Sequence, residues 1–187
     1  MKEMVMSEET IFGICKRLGG EISKDLQNEE KLPIFVCVMK GAIQFMVDLM
    51  KHVTIPSIID YVQLSSYEGT SSTGNVKLIK DMSYSVDGRT IVIVEDVVDT
   101  GYSMEFLLKH LQKIGKPKRI LICALFNKIN AHKVDIHVDY VGEELKENKF
   151  LLGYGFDYKD IQRNIPYVYV PTMEEIVEMD RILKEKL

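Results

Sequence analysis

A chain of 187 residues, 46% hydrophobic and 28% charged, is long enough to bury one sizeable core and too ordinary in composition for disorder to be its default. Its formal charge of −4 offers no global attraction to nucleic acid or to an anionic membrane, so any phosphate it binds must meet a local arrangement of groups. Cys15, Cys37 and Cys123 stand singly in apolar stretches and predict buried free thiols in a reducing compartment, and four scattered histidines provide no zinc spacing.

At the N-terminus, MKEMVMSEET lacks an apolar core of signal-peptide length, and no segment reaches the length of a membrane span, which predicts a cytoplasmic protein. From Ser7 onward Ile11, Ile14, Cys15, Leu18 and Ile22 recur at three- and four-residue steps, with Ser7 placed to cap and Glu8 and Glu9 in the first turn. This predicts an amphipathic helix, strained midway by Gly19 and Gly20. Residues 33–39, PIFVCVM, form an apolar run too short for a helix; Lys40-Gly41 ends it, and Ile43, Met46, Leu49 and Met50 resume helical spacing. Strands are predicted at 57–64 and 76–81, bracketing a stretch dense in Ser, Thr and Gly that reads as a mobile loop or a long hairpin tip.

The turn Asp87-Gly88 precedes a predicted strand at 90–95, and Met104, Leu107, Leu108 and Leu111 mark a helix ending near Gly115-Lys116-Pro117. Residues 119–127, RILICALFN, are the next buried strand. Beyond it the pattern weakens to short strands at 139–141, 150–153 and 167–170, and residues 173–186 close the chain as a helix. Apolar strands alternating with helices imply a parallel sheet covered on both faces, with ligands bound beyond the carboxyl ends of its strands.

One such end carries unusual chemistry: residues 91–104 read IVIVEDVVDTGYSM. Asp99-Thr100-Gly101-Tyr102-Ser103 leads into a helix, so free backbone N–H groups, two hydroxyls and the helix dipole converge where an anion fits without any lysine. The carboxylates of Glu95 and Asp96 would repel that anion, but suit vicinal hydroxyls or a hydrated divalent cation. A ribose carrying a 5-phosphate presents both needs a few ångströms apart.

Four apolar residues, Glu-Asp, two valines and Asp-Thr-Gly-x-Ser resemble the phosphoribosyl-pyrophosphate signature of the type I phosphoribosyltransferases. VMKGA at 38–42 resembles the pyrophosphate turn of the hypoxanthine-guanine branch, SSYEGTSSTGNVKL at 65–78 its flexible lid, and KFLLGYGFDY at 149–158 followed by Arg163 its purine-binding hood. The resemblance runs in one order from about residue 34 to about residue 170. It implies an α/β type I phosphoribosyltransferase fold: one domain over 1–187 with a mainly parallel central sheet flanked by helices, a small hood from the N-terminus and about 140–187, and a lid loop at about 65–77.

It further implies purine salvage: magnesium-dependent transfer of the 5-phosphoribosyl group from phosphoribosyl pyrophosphate to hypoxanthine or guanine. In that frame Glu95 and Asp96 hold the ribose hydroxyls and place magnesium, Thr100, Gly101, Tyr102 and Ser103 wrap the 5-phosphate, and Asp99 accepts a proton near N7 of the purine. Lys40 and Gly41 contact pyrophosphate, with a cis peptide expected at Met39-Lys40, and Arg163 faces the leaving group. On the purine side Phe150 stacks, Leu151 offers its carbonyl, Lys128 donates to the 6-oxo group, Lys149 lies alongside, and Asp157 holds a second magnesium or its water. Ser66 and Tyr67 belong to the lid. As bare residues, Asp157 and Arg163 have the alternative of forming one surface ion pair, the less favoured reading.

Small-molecule substrates, no nucleic acid, no membrane and a homo-oligomer, dimer or tetramer, complete the expectation. Tyr102 stands where relatives commonly carry Lys or Arg, Ser103 where they carry Thr, and Ala42 where they carry Gly or Ser. Two rivals share the fold: a xanthine-preferring transferase and a nucleotide-responsive RNA-binding regulator, the latter needing a basic face. A dinucleotide-binding reading of Gly153-Tyr154-Gly155 fails for want of the third glycine.

Overall fold

The apolar runs of the sequence become the inner strands of one sheet. In the computed structural model, which describes residues 3–66 and 76–186 with only the backbone of Ser66, the elements are β1 (Glu3–Met6), α1 (Glu8–Leu26), β2 (Ile34–Met39), α2 (Ile43–Met50), β3 (Ile58–Ser66) and β4 (Val76–Lys80). They continue as β5 (Thr90–Val98), α3 (Tyr102–Ile114), β6 (Arg119–Asn127), β7 (Tyr140–Glu144), β8 (Val168–Val170) and α4 (Met173–Lys186). Tyr67 and the rest of the expected lid tip lie outside the described residues. The segments flanking that stretch are strands, since β3 and β4 pair antiparallel up to Ser66 and Val76.

The main sheet has the order β4-β3-β2-β5-β6-β7, parallel from β3 through β7, with β4 the antiparallel edge. Side chains alternate across it. Phe35, Cys37, Val92, Val94, Cys123 and Leu125 face a core completed by Ile14, Leu18 and Ile22 of α1 and Phe45 and Leu49 of α2. Ile34, Val36, Ile91, Ile93, Ile122 and Ala124 face a second core under Met104, Leu107 and Leu111 of α3. Burial on both faces explains why these strands read as unbroken apolar runs.

Ser7 caps α1 as expected, its Oγ accepting from Thr10 N–H at 3.1 Å, a contact worth about 1 kcal/mol. Gly19 departs from expectation. A Cβ there would lie 2.7 Å from His52 Cβ, so this glycine is the point where α1 closes on the chain just past α2. The thiols are free and buried. Burial pushes Cys15 up to about 11 and Cys37 up to about 12, the latter helped by Glu95 and Asp96. Among the described residues no helix is long and apolar enough to cross a membrane.

Two local expectations are corrected and one element is new. β5 runs on through Val98, because pairing with β6 continues to Val98↔Asn127 and carries the acidic pair inside the strand. Residues 150–153 are not a strand; isolated bridges join Leu152 to Tyr169 and Gly153 to Phe156. β1, unanticipated, pairs antiparallel with β8 to form a separate two-stranded sheet. Four residues carry too little periodicity to be read without their partner.

Candidate active site

Because β2, β5 and β6 are adjacent and parallel, their carboxyl ends open onto one edge of the sheet. Lys40-Gly41 follows β2, Asp99-Thr100-Gly101 follows β5, and Lys128 follows β6. The Met39-Lys40 peptide is cis, as the resemblance implies. Lys128 N–H donates to the Val98 carbonyl at 2.9 Å, which locks the ends of β5 and β6 together.

Glu95 is buried and Asp96 half-buried at the end of β5. Asp96 N–H donates to Glu95 Oε1 at 3.1 Å and Val97 N–H to Asp96 Oδ1 at 2.8 Å. Burial holds the Glu95 carboxyl well above the usual carboxylate range, and the Asp96 charge adds to the rise. Burial raises Asp96 as well, against the opposing pull of its hydrogen bonds and the Arg163 guanidinium. Two desolvated acids side by side favour ionisation only when a cation or hydroxyl donors join them. Gly41 presses on this pair: a Cβ there would overlap Asp96 Oδ2. Both acids line a cavity of about 200 Å³ with Asp99, Thr100, Gly101 and Ser103.

Gly101, at φ +87°, ends the strand-to-helix turn in a left-handed conformation that disfavours side chains, and a Cβ would lie 2.8 Å from Val134 Cγ2. No side chain caps α3. The first-turn N–H groups of α3, beginning at Tyr102 and Ser103, therefore have no capping side chain at the helix's positive end. Tyr102 is half-buried and contributes its backbone to that turn.

Lys128 is 7% exposed, yet its ammonium is fully engaged. It donates to Asp99 Oδ2 at 2.8 Å, to Asn148 Oδ1 at 2.9 Å and to the Lys149 carbonyl at 3.3 Å. Beside it lies a polar cavity of about 260 Å³ lined by Asp99, Thr100, Asn130, Lys133 and Asn148. Lys149 takes part through its carbonyl alone. The ammonium of Lys149, a residue expected alongside the purine, pairs with Glu3 of β1 at 2.5 Å and Glu147 at 2.9 Å. Phe150 is 49% exposed, edge-on to Tyr158 at 6.2 Å between centroids, while Leu151 is buried in the core.

On the other side, Lys40, Asp157, Asp160 and Arg163 border a cavity of about 490 Å³ with Met39 and Ser65. Arg163 donates from Nη1 to the Gly155 carbonyl at 2.7 Å, and its Nη2 pairs with Asp157 Oδ1 at 2.8 Å. Asp157 Oδ2 accepts from Asp160 N–H at 2.7 Å, so both of its oxygens are engaged. The pair foreseen as an alternative for Asp157 and Arg163 therefore forms, at the cavity wall. Gly155, at φ +97°, rests on the Lys40-Gly41 turn so closely that a Cβ would run into the Gly41 carbonyl oxygen. Beside it Tyr154 is buried and donates its hydroxyl to Asp48 of α2 at 2.7 Å. The Gly-Tyr-Gly sequence thus serves to close the hood on the sheet.

The family model described as phosphoribosyl transferase domain matches residues 3–159. The chain belongs to the phosphoribosyltransferase family. A hypoxanthine-guanine phosphoribosyltransferase of Streptococcus pyogenes serotype M3 is 41% identical over 171 residues, 91% of this chain and 93% of that relative. The crystal structure of a hypoxanthine phosphoribosyltransferase from Staphylococcus aureus matches with a TM-score of 0.86 at 37% identity, covering 94% of each chain. A Trypanosoma cruzi hypoxanthine phosphoribosyl transferase matches with a TM-score of 0.88 at 26% identity, covering 96% of this chain and 95% of the other.

In this phosphoribosyltransferase two loop residues that sequence reasoning passed over hold side chains of the site. Asn148 shares Lys128 with Asp99, and Asp160 shares one carboxylate oxygen between Lys40 and Arg163. Neither carries a local signal, since each is a polar loop residue and the partners Lys128 and Lys40 come from other parts of the chain.

Proposed function

We propose that this phosphoribosyltransferase acts in purine salvage, joining a 6-oxopurine, hypoxanthine or guanine, to the ribose of phosphoribosyl pyrophosphate and releasing pyrophosphate. The observation that carries the reading is the buried Lys128 ammonium held by Asp99 at the ends of β5 and β6. An ammonium only donates. Once one of its three present acceptors gives way, it suits the carbonyl of a 6-oxopurine and opposes the amino group of adenine.

In this reading the first-turn N–H groups after Gly101, with Thr100 and Ser103, hold the 5-phosphate, and Glu95 and Asp96 hold the ribose hydroxyls. Phe150, exposed at the rim, stacks on the base, and the Leu151 carbonyl accepts from the ring edge. Asp99 takes the proton that the purine gives up as it bonds to the anomeric carbon, and Lys40 and Arg163 hold charge that accumulates on the departing pyrophosphate. Among the described residues no three-ligand metal cage exists. The paired acids fit magnesium nonetheless, because that ion is commonly held by one or two carboxylates plus substrate phosphates. Glu95 and Asp96 would place it, and Asp157 a second one only after Arg163 lets go; when bound, it neutralises phosphate charge. Ser66 and Tyr67 belong to the proposed lid over this edge.

The test is a spectrophotometric panel of hypoxanthine, guanine, xanthine and adenine, each with phosphoribosyl pyrophosphate and magnesium. Turnover of hypoxanthine or guanine is expected; a preference for adenine overturns the role of Lys128, and a preference for xanthine replaces the substrate assignment.

The same reading includes a homo-oligomer. Ile43 and Val47 of α2 and Ile59 and Tyr61 of β3 are exposed on the side of the sheet that α1 and α2 occupy. Apolar side chains grouped on one side suit a second copy better than water. Sedimentation velocity is expected to show a dimer or tetramer that Val47→Glu shifts toward monomer; a wild-type chain that stays monomeric at all concentrations removes the assignment.

A further inference from the structure

One carboxylate stands where the proposed reaction leaves its most charged product. Asp160 Oδ1 accepts from Lys40 Nζ at 2.9 Å and from Arg163 Nη2 at 2.9 Å. These are the two cations assigned to pyrophosphate. They come from different parts of the fold, one from the turn after β2 and the other from the hood, and Asp160 is the anion they share.

We infer that Asp160 is an internal competitor for the leaving group, holding Lys40 and Arg163 in the free enzyme and giving them up when a pyrophosphoryl group arrives. The inference rests on the pyrophosphate assignment made for Lys40 and Arg163, and deepens it.

Three observations carry it. First, the contact is not built into the core: the Asp160 side chain is 62% exposed and that of Lys40 47%, at the border of an open cavity. An exposed pair of this kind contributes little to holding a fold together. Second, the segment that presents the carboxylate is backbone-strained, with Lys159, Asp160 and Gln162 at φ +49°, +70° and +75°. Three non-glycine residues among four in the left-handed region persist only where neighbouring contacts hold them, and such strain gathers at ligand clamps. Third, Arg163 has spare capacity: its buried Nε has no hydrogen-bond partner.

The exchange is favourable in one direction and reversible in the other. A pyrophosphoryl group brings several negative charges and many acceptor oxygens, so it outcompetes one carboxylate for the same two cations. Once the product loosens, Asp160 stands ready to take the cations back. Asp160 thereby weakens the hold on both phosphoribosyl pyrophosphate and pyrophosphate, and speeds the exit of the latter.

Asp160→Asn keeps the shape and removes the charge, and Asp160→Ala removes both. With magnesium pyrophosphate as the calorimetric probe, and with Michaelis constants for phosphoribosyl pyrophosphate and hypoxanthine measured in parallel, both variants are expected to bind the two phosphorylated ligands roughly threefold to tenfold more tightly, the scale of one or two exposed ion pairs. The constant for hypoxanthine is expected to stay put. In a Lys40→Ala background the gain from Asp160→Asn should shrink, since one of the two contested cations is gone. Unchanged or weaker pyrophosphate binding in Asp160→Asn overturns the inference. The parent assignment fails separately: if neither Lys40→Ala nor Arg163→Ala weakens pyrophosphate while Asp160 is intact, pyrophosphate does not bind there at all.

Discussion

Asp99→Asn is expected to lower turnover by about 10²–10⁴-fold, the usual contribution of a positioned general base, while nucleotide still binds. Asparagine is nearly isosteric, and its amide oxygen can still accept from the Lys128 ammonium that now lies 2.8 Å from Asp99 Oδ2. The turn into α3 depends on Gly101, which the substitution leaves alone. What is lost is the capacity to take a proton at the strand end where the purine is proposed to sit. The measurement is kcat at saturating phosphoribosyl pyrophosphate and hypoxanthine, with inosine monophosphate affinity by titration. Turnover equal to the parent removes Asp99 from the chemistry; lost nucleotide binding makes it a structural residue instead.

Lys128→Met is expected to reduce kcat/KM for hypoxanthine and guanine by roughly 10²–10³-fold and to narrow their advantage over adenine. Methionine fills the space of the lysine stem, so the core around Phe126 and Asn127 is preserved. Three acceptors, Asp99 Oδ2, Asn148 Oδ1 and the Lys149 carbonyl, lose their shared donor at once. Asp99 and Asn148 reach solvent and can bond water instead, so the loss falls on recognition more than on stability. A thermal melt run alongside separates lost stability from lost recognition. An unchanged ratio of hypoxanthine to adenine activity would show that Lys128 does not read the base.

These two residues illustrate how unevenly the site can be read from the chain. Asp99 belongs to a local word, a buried strand ending in acids and a small polar turn, and its neighbours in sequence are its neighbours in space. Lys128 is legible only as the residue after a strand; its three acceptors come from positions 99, 148 and 149, brought together by the β5–β6 register and by the loop after β7. Lys149, expected alongside the purine, offers its carbonyl to Lys128 while its ammonium meets Glu3 of β1, a partner no local pattern announces.

By itself the sequence determined the inner strands, the four helices and the acidic turn, since hydrophobic period, capping residues and glycine position act over a few residues and leave their mark there. Tertiary structure alone decided which charges meet. The closeness of Gly155 to Gly41, the sharing of Asp160 by Lys40 and Arg163, and the side of the hood that Lys149 faces all join segments far apart in the chain. Such contacts follow from strand order and helix packing, and an ion pair between exposed loop residues is too weak to impose a pattern on the sequence around it.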